Sequence, residues 1–159
     1  MENKEWSAEE LRLRAESYCA SAERCEQDVQ LKLRQWMGNK PETENEQDIC
    51  SDIITHLYKA GFMDNERYCR AFVHDKLAYQ HWGRMKIQYM LHAKKLPQAA
   101  ISTAMDELDE NEYQKVLEHT AEQFIRLNRK KYTANPDCLY RFLAQRGFTT
   151  QEIRQFLQK

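Results

Sequence analysis

Apolar residues along this chain recur every three or four positions rather than at every second position. Only four Gly and three Pro interrupt its 159 residues. A spacing of three and four places apolar side chains on one face of an α-helix. The sequence therefore predicts an all-α protein of about nine helices, long enough to bury a core.

Short polar signals predict where individual helices begin and end. Ser7-Ala8-Glu9-Glu10 forms a capping box, so the first helix should begin there and residues 1–6 should be a frayed N-terminus. Residues 38–47 include Pro41 and three glutamates, which predicts a polar loop, and Asp48 can cap the helix that follows. One further helix is predicted without interruption from about residue 111 to residue 130.

The chain also repeats itself, because a shift of 52 residues brings six pairs of apolar positions into register. A three-helix unit is too small to hold a core alone and is stabilised by stacking on its neighbours. We therefore predict three tandem three-helix units, at residues 7–62, 63–108 and 109–159, in an elongated and curved protein. The aligned pairs are Ile87 with Leu139, Met90 with Phe142, Leu91 with Leu143, Leu96 with Phe148, Ile101 with Ile153 and Met105 with Leu157.

Charge is distributed unevenly, although the formal net charge is only −1. Residues 1–65 carry 8 basic and 14 acidic side chains, residues 66–105 carry 7 and 2, and residues 113–159 carry 9 and 4. The first unit is therefore acidic and the other two are basic, which favours a polyanion or an acidic protein surface as the partner. The alternative is that these charges only solvate helix faces.

No set of residues has the spacing of a catalytic or metal site. Cys69 and His74 lie five positions apart on one helix, and H-E-x-x-H, Walker and dinucleotide-binding motifs are absent. Five cysteines with no C-x-x-C pair and no signal segment are typical of reduced cytosolic thiols, and no apolar run is long enough to span a bilayer. We expect a cytoplasmic protein that is not an enzyme and has no cofactor, no metal and no membrane contact.

Binding is better supported, because cations of the middle and last units alternate with Tyr79, Trp82, Tyr89 and Tyr132. Cations and aromatic rings together contact phosphates and stack on bases. The alternative is that the rings belong to the core and the cations only confer solubility. Sequence-specific groove reading looks weak, since few Arg, Asn or Gln follow Pro97 or Thr149 in adjacent exposed positions. The predicted binding residues are Arg67, Arg70, His74, Lys76, Arg84, Lys86, Lys94, Lys95, Arg126, Arg129, Lys130, Lys131, Arg141 and Arg146.

The helix corners carry a family resemblance. The stretches 61–69, 82–87 and 146–148, with Gly61, Asp64, Gly83, Gly147 and Phe148 as structural corners, resemble the bacterial RecX family of RecA regulators. The resemblance extends over nearly the whole chain from about residue 11. One departure is Lys95, which stands where a helix-ending glycine is common. A lysine in a left-handed cap would cost about 1 kcal/mol.

The resemblance implies a small helical protein that lies in the groove of the RecA filament on single-stranded DNA. It also implies restraint of ATP hydrolysis and strand exchange, and hence an influence on recombinational DNA repair and the SOS response. We expect the basic units to contact the filament and its DNA, with Arg67, Arg70, Arg84 and Lys86 at the centre. Double-stranded DNA should bind weakly at most, and the protein should be a monomer.

Two other interpretations stay open. The protein could be a helical DNA-binding protein that acts without a recombinase, or a helical scaffold that binds only protein. Salt dependence separates them, because each phosphate neutralised on a single strand contributes about −0.7 to the binding slope. A scaffold would show little salt dependence.

Overall fold

The computed structural model describes residues 5–39 and 43–158, and these ranges contain ten α-helices and no strand. The all-α fold class is therefore confirmed. The helices are α1 (Ala8–Ser21), α2 (Glu26–Trp36), α3 (Glu44–Lys59), α4 (Asn65–Ala78), α5 (Arg84–Ala93), α6 (Gln98–Asp106), α7 (Glu110–Leu127), α8 (Arg129–Ala134), α9 (Asp137–Gln145) and α10 (Thr150–Leu157).

The described residues form two compact units, divided between Tyr68 and Cys69. Helices α1 to α3 belong to the first unit and α5 to α10 to the second, while the division falls within α4. The finer division at residues 7–62, 63–108 and 109–159 stays a prediction.

In the first unit, α1 packs on both α2 and α3. The Ser7 hydroxyl accepts a hydrogen bond from Glu10 N (3.1 Å), which confirms Ser7 as the N-cap of α1 and so the predicted helix start. Helical spacing on each helix directs its apolar residues towards the others. The core of this unit includes Leu11, Ala15, Val29, Leu33, Ile53 and Leu57.

In the second unit, the 52-residue repeat coincides with two pairs of helices. Helix α5 corresponds to α9 and α6 corresponds to α10, and each pair of helices is joined by a short corner. Both members of a repeat pair are buried, as Ile87 and Leu139 show, and likewise Leu91 and Leu143. Leu157, whose repeat partner Met105 is buried, is instead exposed at the end of the last helix. Core positions therefore follow the repeat except where the chain approaches its end.

The predicted loop at 38–47 is wrong over its last four residues, and Asp48 is not a helix cap. Helix α3 begins at Glu44, because the Thr43 hydroxyl accepts a hydrogen bond from Glu46 N (3.2 Å) and contacts the Glu46 carboxylate. This capping pattern satisfies a donor in the first turn. Pro41 and its neighbours Lys40 and Glu42 lie outside the described residues, as do residues 1–4 of the predicted N-terminus.

The long helix predicted from residue 111 to residue 130 is also wrong at its end. Helix α7 ends at Leu127, and the short α8 follows at once. Asn128 lies between them with φ −128° and ψ 36°, and its side-chain amide donates to Phe124 O (2.9 Å). An asparagine that hydrogen-bonds the backbone in this way competes with continued helix. The described chain therefore has ten helices instead of nine.

Candidate nucleic-acid interface

Helix α5 begins where two stretches of backbone come unusually close. Gly83 N donates to Arg146 O (2.7 Å), and Met85 N donates to Gly147 O (3.0 Å). A Cβ atom on Gly83 would lie 2.3 Å from the carbonyl carbon of Gly147. Gly83 has an ordinary φ of −79°, so the close approach, and not an unusual dihedral angle, requires glycine there. The corner after α9 thereby caps α5.

The side chain of Arg84 links the start of α5 to α7 and α10. Its Nε donates to Glu152 (2.8 Å), and its two terminal nitrogens donate to Glu110 (2.8 and 3.2 Å). The guanidinium also lies 4.3 Å from the centre of the Tyr113 ring. Only 26% of the side chain is exposed. Arg84 is therefore engaged within the second unit.

The Tyr113 hydroxyl completes this network. It accepts a hydrogen bond from Arg84 N (3.0 Å) and donates to the Glu152 carboxylate. Burial raises the pKa of Tyr113 above its ordinary value of 10, and the hydrogen bond to Glu152 raises it further. The hydroxyl therefore remains protonated and can serve as donor and acceptor together.

Arg67 and Arg70, also predicted at the centre of the binding surface, make ion pairs as well. Arg67 Nε lies 2.5 Å from Glu23, and its Nη2 donates to Gly61 O and Phe62 O. Arg70 donates to both oxygens of Glu107 (2.6 and 3.1 Å). Contact with a partner through these arginines would compete with existing carboxylate contacts.

Lysines take a different arrangement around Trp82. Lys76 Nζ, from α4, lies 4.8 Å from the centre of the Trp82 ring, and Lys86 Nζ, from α5, lies 4.4 Å from it. Arg146, at the end of α9, donates to Gln80 O (2.8 Å), two residues before the tryptophan. We name Lys76, Trp82, Lys86 and Arg146 the Trp82 corner. It combines cations from the consecutive helices α4 and α5 with Arg146, which is distant in sequence at the end of α9.

The stretch of chain that contains Lys76, Trp82 and Lys86 carries no acidic residue, although Asp75 directly precedes it. No Asp or Glu occurs from residue 76 to residue 105. Two tyrosines in this stretch are highly exposed, Tyr79 at 73% and Tyr89 at 71%. The exposure of both rings excludes the alternative that they belong to the core. A basic stretch with exposed rings is suited to contact with a polyanion.

A second basic surface lies where α7 meets α8. Its four cations, Arg126, Arg129, Lys130 and Lys131, are exposed, and none pairs with a carboxylate in the described ranges. Leu127 beside them is 71% exposed. We name the four cations the basic α8 corner. Part of this charge complements the carboxyl end of α7.

The other predicted residues are more scattered. His74 is exposed beside Asp75 (3.3 Å), Arg141 is exposed on α9, Lys94 is the C-cap of α5, and exposed Lys95 has φ 62°. Among the predicted corners, Asp64 accepts a hydrogen bond from Arg67 N, Gly61 and Gly147 have positive φ, and Phe148 is buried.

The structure offers few groups for metal or redox chemistry. All five cysteines are buried and reduced. Within residues 5–39 and 43–158, no three His, Cys, Asp or Glu side chains are grouped closely enough to hold a metal ion. In the same ranges, no helix is both long enough and apolar enough to cross a bilayer.

Sequence comparison matches the stretch that contains Lys76, Trp82 and Lys86. The family model described as "RecX, second three-helix domain" matches residues 64–105. Regulatory protein RecX of Herbaspirillum seropedicae is 27% identical over 154 residues, which cover 93% of this chain and 89% of that protein. Regulatory protein RecX of Clostridium beijerinckii is 26% identical, with coverage of 99% and 76%. The chain is therefore similar to RecX proteins over nearly its whole length.

Solved RecX structures share the fold of this chain. The crystal structure of RecX from Lactobacillus salivarius superposes with a TM-score of 0.75 at 16% identity, over 95% of this chain and 94% of that one. A second RecX crystal structure has a TM-score of 0.78 at 17% identity, over 100% and 83%. The arrangement of helices therefore recurs among RecX proteins.

Sequence reasoning named Lys76, Lys86 and Arg146 but did not group them around Trp82. It gave neither Tyr113 nor Glu152 a place at this site, because their contacts with Arg84 span 29 and 68 residues of chain. The acid-free run from residue 76 to residue 105 is the signal that could have singled out the Trp82 corner.

Proposed function

We propose that this RecX-like protein binds the RecA filament assembled on single-stranded DNA and restrains its ATP hydrolysis and strand exchange. It acts by binding, without an enzymatic step of its own, and so limits recombinational DNA repair. The observation that carries this proposal is the match to proteins named regulatory protein RecX over nearly the whole chain.

The charge distribution supports a partner that presents both protein and DNA. The second unit contains a basic stretch without Asp or Glu, residues 76–105, that carries exposed aromatic rings, whereas the first unit is predominantly acidic. Basic and aromatic side chains suit single-stranded DNA, and acidic side chains suit a basic protein surface. A filament of recombinase on DNA offers both kinds of surface.

Within the predicted set of cations, we propose that the Trp82 corner and the basic α8 corner make the principal contacts. Arg67, Arg70 and Arg84 each pair with carboxylates, so recruiting them would cost existing interactions. Arg84 in particular stabilises the start of α5. We therefore expect Arg84→Glu to weaken the fold as well as binding.

The decisive assay measures ATP hydrolysis by the cognate RecA on single-stranded DNA while this protein is added below stoichiometry. Binding to bare DNA is followed in parallel by fluorescence anisotropy. We expect inhibition at concentrations at which bare DNA is barely bound. Excess single-stranded DNA serves as the control, because it relieves inhibition that results only from DNA sequestration.

Other outcomes would replace the proposal. If the ATPase is unaffected while salt-sensitive DNA binding persists, the protein is a DNA-binding protein that acts without a recombinase. If neither RecA nor DNA responds, the basic surfaces serve another protein partner.

A further inference from the structure

The two lysines of the Trp82 corner share a local pattern. Each is followed three residues later by a highly exposed tyrosine, Lys76 by Tyr79 and Lys86 by Tyr89. Residues three apart on a helix lie on the same side of it. Tyr79 lies one residue beyond the end of α4 but keeps the helical geometry, because its N–H donates to Asp75 O (2.9 Å). Each lysine is therefore accompanied by an exposed ring.

Trp82 orders the two ammonium groups. Their distances of 4.8 and 4.4 Å from the centre of one ring place them at most about 9 Å apart. Attraction to an aromatic face holds an ammonium group without neutralising its charge. A carboxylate partner would neutralise it, and within the described ranges neither Lys76 nor Lys86 forms an ion pair with a carboxylate. The two charges remain available to an anion.

The side chains around the two lysines favour single-stranded DNA as the ligand over a DNA duplex or an acidic peptide. Lysine binds phosphate as a compact point charge. An exposed tyrosine can stack on an unpaired base, whereas the bases of a duplex are already stacked on one another. An acidic peptide would use the lysines but would leave both rings without a specific contact.

We propose that the Trp82 corner is a single-stranded DNA subsite. Lys76 and Lys86 contact neighbouring phosphates of one strand, Trp82 positions both lysines, and Tyr79 and Tyr89 stack on bases. This inference rests on the proposed function, since it names the part of the protein that contacts the DNA of the filament.

The first test is the salt dependence of binding to a fluorescein-labelled oligothymidylate, measured by anisotropy between about 50 and 200 mM salt. Two phosphate contacts predict that Lys76→Gln/Lys86→Gln makes the log–log slope shallower by about 1.4, at about 0.7 per phosphate. The charge-preserving variant Lys76→Arg/Lys86→Arg should retain the slope.

The matched control is Lys32→Gln/Lys59→Gln, which removes the same charge from the acidic part of the chain. Lys32 is a suitable counterpart because its ammonium also lies over a ring, 5.5 Å from the centre of Tyr18. We expect the slope of this control to stay at the wild-type value. Equal slopes for the two glutamine variants would overturn the subsite.

The second test separates base contacts from phosphate contacts. Tyr89→Ala should weaken binding about fivefold or more, because stacking stabilises each base by roughly 1–3 kcal/mol, while the slope stays unchanged. Tyr89→Phe keeps a ring and should restore affinity. With its side chain 71% exposed, Tyr89 can be truncated without opening the core. Unchanged affinity in Tyr89→Ala would remove the stacking part of the proposal.

The RecA ATPase assay distinguishes failure of the DNA subsite from failure of the proposed function. If wild-type protein inhibits RecA but shows no salt-dependent oligothymidylate binding, the subsite is refuted and the proposed function stands. If oligothymidylate binds as described and RecA is unaffected, the subsite stands and the proposed function fails.

Discussion

Replacing Gly83 by alanine tests whether the close approach before α5 stabilises the second unit. The added Cβ would lie 2.3 Å from both Gly147 C and Phe148 N, and these are backbone atoms that cannot rotate away. The two segments must separate, which breaks the hydrogen bonds from Gly83 N and Met85 N. Alanine itself is compatible with the local dihedral angles, φ −79° and ψ 168°.

The expected loss follows from these contacts. Losing two hydrogen bonds costs about 1–3 kcal/mol, and a buried donor left unpaired costs more. Forcing additional volume into a packed site typically adds roughly 1–3 kcal/mol. We therefore expect Gly83→Ala to lower the free energy of unfolding by about 3 kcal/mol. The measurement is urea denaturation followed by far-ultraviolet circular dichroism.

Gly61→Ala is the matched control, because Gly61 has a positive φ and open space, whereas Gly83 has an ordinary φ and a close backbone neighbour. The φ of Gly61 is +78°, but nothing lies within 4 Å of an added Cβ, so only the dihedral strain of about 1 kcal/mol applies. Gly147→Ala combines a φ of +98° with a Cβ 2.4 Å from Lys86 Cβ and should be at least as damaging as Gly83→Ala. A Gly83→Ala variant no less stable than Gly61→Ala would refute the reasoning.

Three further predictions concern a helix end, a helix start and an ion pair. Lys95→Gly should raise the free energy of unfolding by roughly 0.5–1 kcal/mol in urea denaturation, because Lys95 has φ 62° at the end of α5. Thr43→Ala should lower it by about 1 kcal/mol through loss of the cap of α3, while Thr43→Ser should not. Arg70 holds the pKa of Glu107 below its ordinary value of 4.5, so the pair stabilises the fold above that pH and loses its effect as pH falls through the lowered pKa. In an NMR titration, Arg70→Gln should return the Glu107 pKa towards 4.5, and an unchanged value would contradict the contact.

The helices themselves were largely predictable, because their signals are local. The cap at Ser7, the end of α3 just before Gly61 and the apolar spacing of α5 each depend on residues within one or two turns. Two helix boundaries were predicted wrongly, and at each a short polar side chain starts or ends the helix. Thr43 began α3 early and Asn128 ended α7 early, and both use side-chain hydrogen bonds that apolar spacing does not register.

The sequence by itself determined the helical class, the 52-residue repeat and the basic character of the second unit, since composition and period need no knowledge of neighbours in space. Only the tertiary structure decided which cations are free of ion pairs and so remain available to bind a partner. Arg84 and Lys86 are two residues apart in sequence, yet Arg84 pairs with Glu110 and Glu152 while Lys86 lies over the Trp82 ring. Charge on a side chain follows from its identity, but its neutralisation depends on which carboxylates the fold brings within about 4 Å.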